Sequence, residues 1–324
     1  MKARVCKVAV MDLGSQTFRV AGARVSNGRA EVLFSIRNNV RMGQSLLRDG
    51  RLSQDALKRG IGALKEFLKV LEKHEIGRFR AIATEAFRRA ENAGDFIDRA
   101  REIGVGIEVI GPEEEAALAV KGAYLTLEDV KGQWIMVDSG GASTEMALCE
   151  RDRLLFFKSM NIGAVTLTET CQEIGEGFRD CLRASARTKV EEGLSGVKAW
   201  FHGVQTLVAT GGTATTVAAV LQRLSNYDPK KVRGFEVAGP ELDKLFNELL
   251  AMDVYQRMKV RGLEPERADI FPAGIAILLE VIRYLGLRKI VISDGGILLG
   301  LLAAFMEKEC KFYAESSGAR GLYL

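Results

Sequence analysis

Apolar and polar residues alternate with a period of two over residues 18–24 and 30–36, on either side of Ser26-Asn27-Gly28, which predicts a hairpin behind a first strand at residues 5–12. The period then lengthens. Ile61, Leu64, Phe67, Leu68 and Leu71 recur at helical spacing behind the N-cap sequence Ser53-Gln54-Asp55, so residues 53–74 are predicted as an amphipathic helix whose stripe enters the core. A strand at 79–83, a helix at 86–93 and a strand at 107–110 follow, the last running into Gly111-Pro112-Glu113-Glu114-Glu115-Ala116, where proline suits a helix start. From residue 134 the plan begins again: strand 134–138, hairpin 145–158, helix 180–200, strand 206–210 and a helix from Thr213. Residues 270–285 and 296–308 are apolar enough to be packed helices, separated by a strand at 289–293 and the turn Asp294-Gly295-Gly296. The fold class is α/β.

Two strands end in related turns, Val10-Met11-Asp12-Leu13-Gly14-Ser15 and Val137-Asp138-Ser139-Gly140-Gly141-Ala142-Ser143-Thr144-Glu145. Glycine after a buried strand lets successive backbone N–H groups line a cradle for anionic oxygens, and the aspartate can hold a cation. A second pair of segments keeps the same interval: 138 minus 12 and 209 minus 83 both give 126, so Ala83-Thr84-Glu85-Ala86 corresponds to Ala209-Thr210-Gly211-Gly212. The spacing predicts a duplicated α/β unit with two phosphate turns.

Composition narrows the class. With 324 residues, 47% hydrophobic and 27% charged, the chain is expected to form two soluble domains. A net charge of +4 is ordinary surface composition and gives no support to nucleic-acid binding. No apolar run spans a bilayer, and the short run before Asp12 leaves no room for a signal peptide, so the expected location is cytoplasmic with no membrane partner. The odd set Cys6, Cys149, Cys171, Cys181 and Cys310 is widely spaced and reads as reduced thiols. His74 and His202 both fall at helix ends, which leaves acid–base chemistry to carboxylates.

Nine ordered segments resemble the exopolyphosphatase/guanosine pentaphosphate phosphohydrolase family of the actin, sugar kinase and heat-shock chaperone superfamily. They are MDLGSQTFRV, NNVRMGQSLLRDGRLSQDAL, IATEAFRRAEN, VIGPEEEAALAVKGA, IMVDSGGASTEMAL, NIGAVTLTE, VATGGTATTVAAV, GLEPERADIFPAGIAIL and VISDGGILLGLL. The resemblance implies two actin-like (ribonuclease H-like) domains with an interdomain cleft, the C-terminal helix packing back on the first domain. On that basis residues 1–120, completed by about 300–324, form the first domain and 121–299 the second. The chain looks like the short, two-domain form, for which a homodimer is implied.

The activity implied is metal-dependent hydrolysis of a terminal phosphoanhydride, releasing orthophosphate from inorganic polyphosphate. Carried onto this sequence, Glu115 orients or deprotonates the attacking water and Glu145 is the second essential carboxylate. Asp12, Asp138 and Glu145 hold Mg²⁺ or another divalent cation, a hard ion that takes oxygen ligands and keeps several waters. Gly14, Ser15, Gly140, Gly141, Ser143, Gly211, Gly212, Thr213 and Thr215 form the phosphate cradle, and Arg88 completes it as a charged donor. Glu113 and Glu114 are read as ordinary first-turn acids favoured by the helix dipole.

Some positions depart from the family pattern. Glu85 stands where a small residue is usual, and either repels an anionic substrate or pairs with Arg88 and withdraws that donor. Ala142 replaces a glycine, Ser139 an apolar residue or glycine, and Ile297-Leu298-Leu299-Gly300 lacks an Arg-Glu pair often found after the Asp-Gly turn. Two other readings share the residues: hydrolysis of guanosine pentaphosphate to tetraphosphate, and a regulatory protein that binds polyphosphate or an alarmone without turning it over.

Overall fold

A computed structural model describes residues 5–27, 29–44, 46–127, 130, 132–172 and 177–312. In chain order the elements are β1 (Cys6–Leu13), β2 (Thr17–Ser26), β3 (Arg29–Asn39), α1 (Leu46–Asp49), α2 (Gln54–Lys73), β4 (Phe79–Ala83), α3 (Glu85–Arg89), α4 (Ala93–Glu102), β5 (Ile107–Val109) and α5 (Pro112–Thr126). They continue with β6 (Gln133–Ser139), β7 (Thr144–Glu150), β8 (Arg153–Met160), α6 (Ala164–Gln172), α7 (Phe178–Leu194), β9 (Leu207–Thr210), α8 (Gly211–Leu221), α9 (Pro229–Val232) and β10 (Glu236–Ala238). Last come α10 (Gly239–Leu250), α11 (Val254–Arg257), α12 (Phe271–Leu285), β11 (Lys289–Ile292) and α13 (Ile297–Cys310). Gly28 in the first hairpin and residues 313–324, assigned by sequence to the first domain, lie outside the described residues.

The chain divides into two units, residues 1–126 with 295–324, and residues 127–294. The first holds a five-stranded sheet in the order β3-β2-β1-β4-β5, antiparallel up to β1 and parallel beyond it. Ala9, Met11 and Leu13 enter the core beneath α2 and α4, where Phe18, Phe87 and Phe96 stack edge to face or tilted. Val8, Val10 and Asp12 alternate to the other face, which α13 covers. Helix α13 is buried nearly all round, as Leu298, Leu299, Leu301, Leu302 and Met306 require. Ile297–Leu299 are buried in this packing.

Small residues set the spacing of α5 and α13. A Cβ on Gly122 would overlap the Gly296 carbonyl oxygen, and one on Gly300 would overlap that of Leu118. Backbone cannot step aside as a side chain can, so Gly300→Ala is expected to cost at least about 1–3 kcal/mol of stability. Urea denaturation measures this, and an unchanged midpoint would mean that the two helices separate freely.

The second unit holds a six-stranded sheet, β10-β11-β9-β6-β7-β8, in which β8-β7-β6-β9-β11 repeats the order and strand directions of the first. The repetition reaches fine detail. β3 bulges at Leu33, opposite Gly22 and Ala23 of β2, and β8 bulges at Leu155, opposite Leu148 and Cys149 of β7, so the facing positions are again 126 residues apart.

Three sequence expectations are corrected. The helix expected at 86–93 ends at Arg89, where Ala90 turns extended, and α4 starts only at Ala93; between them Asn92 exchanges buried hydrogen bonds with the N–H and C=O of Leu52. The helix expected at 180–200 ends at Leu194, where Gly196 takes a positive φ of 76°. The cysteines are not all thiols: Cys6 pairs with Cys310 and Cys171 with Cys181, leaving Cys149 buried and free, its thiol pushed up by burial. Chain spacing hides the first bridge because α13 returns across β1 after 304 residues. Among the described residues no helix is long and apolar enough to cross a membrane.

Candidate active site

The two turns beyond β1 and β6 close with the same hydrogen bond. Gly14 N–H donates to the Thr17 carbonyl at 3.1 Å, and Gly140 N–H to the Ser143 carbonyl at 3.0 Å. Each turn is braced from outside by another segment. Gly43 N–H donates to Ser15 O at 2.8 Å in the first unit, and Ala164 and Val165 N–H donate to Gly140 O and Gly141 O at 2.9 and 2.8 Å in the second. A side chain on Gly163 would strike the Gly141 backbone, so the NIGAV segment seats the second turn through close approach.

In the first unit Asp12 is buried, with Arg19 directly opposite it on β2 and the guanidinium 3.8 Å from its carboxylate. Burial pushes the Asp12 carboxyl above the usual range, and Arg19 pulls the other way. The folded chain therefore retains a proton at pH values where the unfolded chain has lost it, so stability falls as pH rises through the ordinary carboxylate range. Without added metal, Asp12→Asn is expected to remove that loss. Its unfolding midpoint then drops less than wild type's between about pH 4 and 7, and parallel curves from pH-dependent calorimetry would contradict this.

Gln16, unassigned by sequence, also lies in this turn. It is 9% exposed, and its side-chain amide nitrogen has no hydrogen-bond partner. A buried unpaired donor is costly, and beside a glycine turn it is one that an anion would satisfy. Its polarity within an otherwise apolar or small turn was the available signal.

Arg88 and Glu115 meet. Arg88 Nη1 donates to Glu115 Oε2 and to the Ile110 carbonyl, each at 2.8 Å. The other edge of the guanidinium is taken by Glu85, whose Oε2 accepts from Nε at 3.1 Å and Nη2 at 2.7 Å. Of the two effects expected for Glu85, pairing with Arg88 is the one the structure shows. The three side chains are 17, 16 and 14% exposed for Arg88, Glu115 and Glu85, so the network is largely shielded from water. Glu113 is not part of it, and Glu114 reaches Arg80 instead.

In the second unit Asp138 stands opposite Glu145 across β6 and β7, and Glu145 opposite Ser159 across β7 and β8. Opposed residues of an antiparallel pair present their side chains on one face about 4.5–5.5 Å apart at Cβ. Ser159 Oγ donates to Glu145 Oε1 at 2.9 Å. Gly211, at φ +82°, opens α8 against this row, where a Cβ would run into the Asp138 carboxylate. Thr213 Oγ donates to the Ser139 carbonyl and Thr215 Oγ to that of Gly211. These two hydroxyls thus tie the turn together, and the anion donors α8 offers are the N–H groups of its first turn, which no side chain caps. Arg267, also unassigned by sequence, is buried with its guanidinium against Gly212. The Ser139 hydroxyl is buried without a partner beside the same turn.

The donor set fits a hard divalent cation. Asp138 and Glu145 offer adjacent carboxylate oxygens on one face, and two carboxylates with water are the usual protein share of a Mg²⁺ shell. The corresponding row in the first unit differs in charge: Arg19 occupies the place, 126 residues earlier, that Glu145 takes beside Asp138. Asp12 thus carries a cationic neighbour of its own. No group of three or more metal-binding side chains gathers among the described residues.

Comparison with known proteins gives the family. Residues 23–309 match the Ppx/GppA phosphatase family. Exopolyphosphatase 2 of Mycobacterium tuberculosis is 29% identical over 317 residues, covering 91% of this chain and 97% of that one. The solved Ppx/GppA family member of Aquifex aeolicus is 31% identical, with a TM-score of 0.76 over 94% of this chain and 99% of the other. An exopolyphosphatase from Cytophaga hutchinsonii, 22% identical, has a TM-score of 0.84 over 94 and 98% of the two chains and shows the shared fold. With the two-domain actin-like fold of these proteins, the chain belongs to the Ppx/GppA phosphatase family and, with it, to the phosphoanhydride hydrolases.

Proposed function

We propose that this protein is a metal-dependent exopolyphosphatase, removing the terminal phosphoryl group of inorganic polyphosphate as orthophosphate. The observation that carries the proposal is the opposed Asp138–Glu145 pair beside the uncapped first-turn N–H groups of α8, which suit phosphate oxygens. The substrate class follows the name of its Mycobacterium relative.

Glu115 takes the proton of the attacking water, and Arg88 holds that carboxylate in place through the 2.8 Å bond. Asp138 and Glu145 of the second unit would hold the divalent cation. When bound, the cation offsets negative charge on the phosphoryl group and its leaving oxygen. Gly14 and Gly140 close the two turns through their own N–H groups, leaving Ser15 in the first unit and Gly141, Ser143, Gly211 and Gly212 in the second as backbone donors to phosphate. Thr213 and Thr215 hold the second turn in shape.

The test is orthophosphate release with Mg²⁺ from short polyphosphate, long polyphosphate and guanosine pentaphosphate, with Glu115→Ala run alongside. Release from polyphosphate, lost in the variant, supports the proposal. Release from guanosine pentaphosphate alone moves the substrate to the nucleotide. Binding without release would make the protein a sensor and sink the proposal.

A further inference from the structure

Arg88 and Arg89 gather around one carboxylate. Glu85 Oε2 receives two hydrogen bonds from Arg88, and its other oxygen, Oε1, lies 3.8 Å from Arg89 Nη1. Two guanidinium groups converging on one oxyanion form the kind of site that binds phosphate, since the arginine fork matches carboxylate and phosphate alike. Here the chain supplies the anion itself. Arg88 is also anchored independently of Glu85, through the Ile110 carbonyl and Glu115, so departure of Glu85 leaves the guanidinium where it is with one edge open.

We propose that Glu85 is an internal stand-in for phosphate, occupying Arg88 at rest and moving to Arg89 when an incoming phosphoryl group or orthophosphate takes its place. The inference rests on the reading of the protein as a phosphoanhydride hydrolase whose Arg88 meets phosphate. Arg89 makes the exchange feasible because the displaced carboxylate is received by a second cation rather than stranded in a largely buried place. No bond is made or broken and no proton moves; one ion pair replaces another. The consequence falls on the product as much as on the substrate. Orthophosphate must compete with Glu85 to remain, so the exchange weakens product retention and eases release. Any ligand that uses Arg88 binds more weakly by the fraction of time that Glu85 vacates it.

Titration calorimetry with orthophosphate, read beside product inhibition, tests this on the full chain. Glu85→Gln is expected to bind orthophosphate about ten- to a hundredfold more tightly, the range for removing a competing charge-assisted hydrogen bond. It is also expected to be inhibited by correspondingly less orthophosphate. Arg89→Met, which removes the receiving cation, is expected to bind it several-fold more weakly, whereas Glu85→Asp stays close to wild type. A purely structural salt bridge predicts otherwise: both Glu85→Gln and Arg89→Met would lower the unfolding midpoint and neither would tighten binding. Unchanged or weaker binding in Glu85→Gln overturns the proposal, as does the absence of measurable binding in both proteins. Binding is read without turnover, so the two readings fail separately. A wild type that binds orthophosphate in the expected order of variants but releases none from polyphosphate keeps the exchange and loses the hydrolase. A wild type that hydrolyses polyphosphate with Glu85→Gln unchanged does the reverse.

Discussion

Glu115→Gln is expected to lower kcat by about 10²–10⁴ while leaving the fold and KM for polyphosphate nearly as they are. Glutamine keeps an oxygen that accepts the Arg88 Nη1–H bond, and Arg88 retains the Ile110 carbonyl and Glu85 as further partners. What is lost is the capacity to take a proton from water. The competing explanation is that Glu115 only favours the positive end of α5, where it lies in the first turn with Glu113 and Glu114. On that account the substitution costs about 0.3–1 kcal/mol of stability and no rate. Steady-state kinetics beside a thermal melt separates the two. A kcat within a few-fold of wild type would remove Glu115 from the chemistry, however stable the variant.

Much of the fold was legible because local and global preferences agreed. The strand at 79–83 has the expected limits, and Ser53 caps α2 through the Ala56 N–H. The sequence misled where a tertiary contact overrode the local pattern, as at Asn92, or where distant chain meets, as at Cys6 and Cys310. The turns were visible as Asp-Gly patterns, and the interval of 126 carried over to their hydrogen bonds and bulges. The same interval maps Arg19 onto Glu145, a charge reversal beside otherwise matching aspartates that was present in the sequence. The Glu85–Arg88–Glu115 network was only partly visible, since Glu115 arrives from a helix 27 residues further along the chain.

Glu145→Gln is expected to reduce activity at saturating substrate by at least about a hundredfold and to raise the Mg²⁺ concentration needed for what remains. The charge reversal gives the reason. Beside Asp12 the matching position holds Arg19, while beside Asp138 the sheet places a second carboxylate directly opposite. Like charges placed this close repel, and a hard cation bound between them relieves that repulsion. Glutamine keeps the bond from Ser159 through its amide oxygen but offers the metal a neutral ligand in place of a charged one. The metal-free variant should therefore melt no lower than metal-free wild type. Added Mg²⁺ should raise the wild-type midpoint through binding to the folded state, and raise that of the variant far less. Equal Mg²⁺ shifts in the two proteins, with equal metal dependence of turnover, would take Glu145 out of the metal site and leave Asp138 to hold the cation without it.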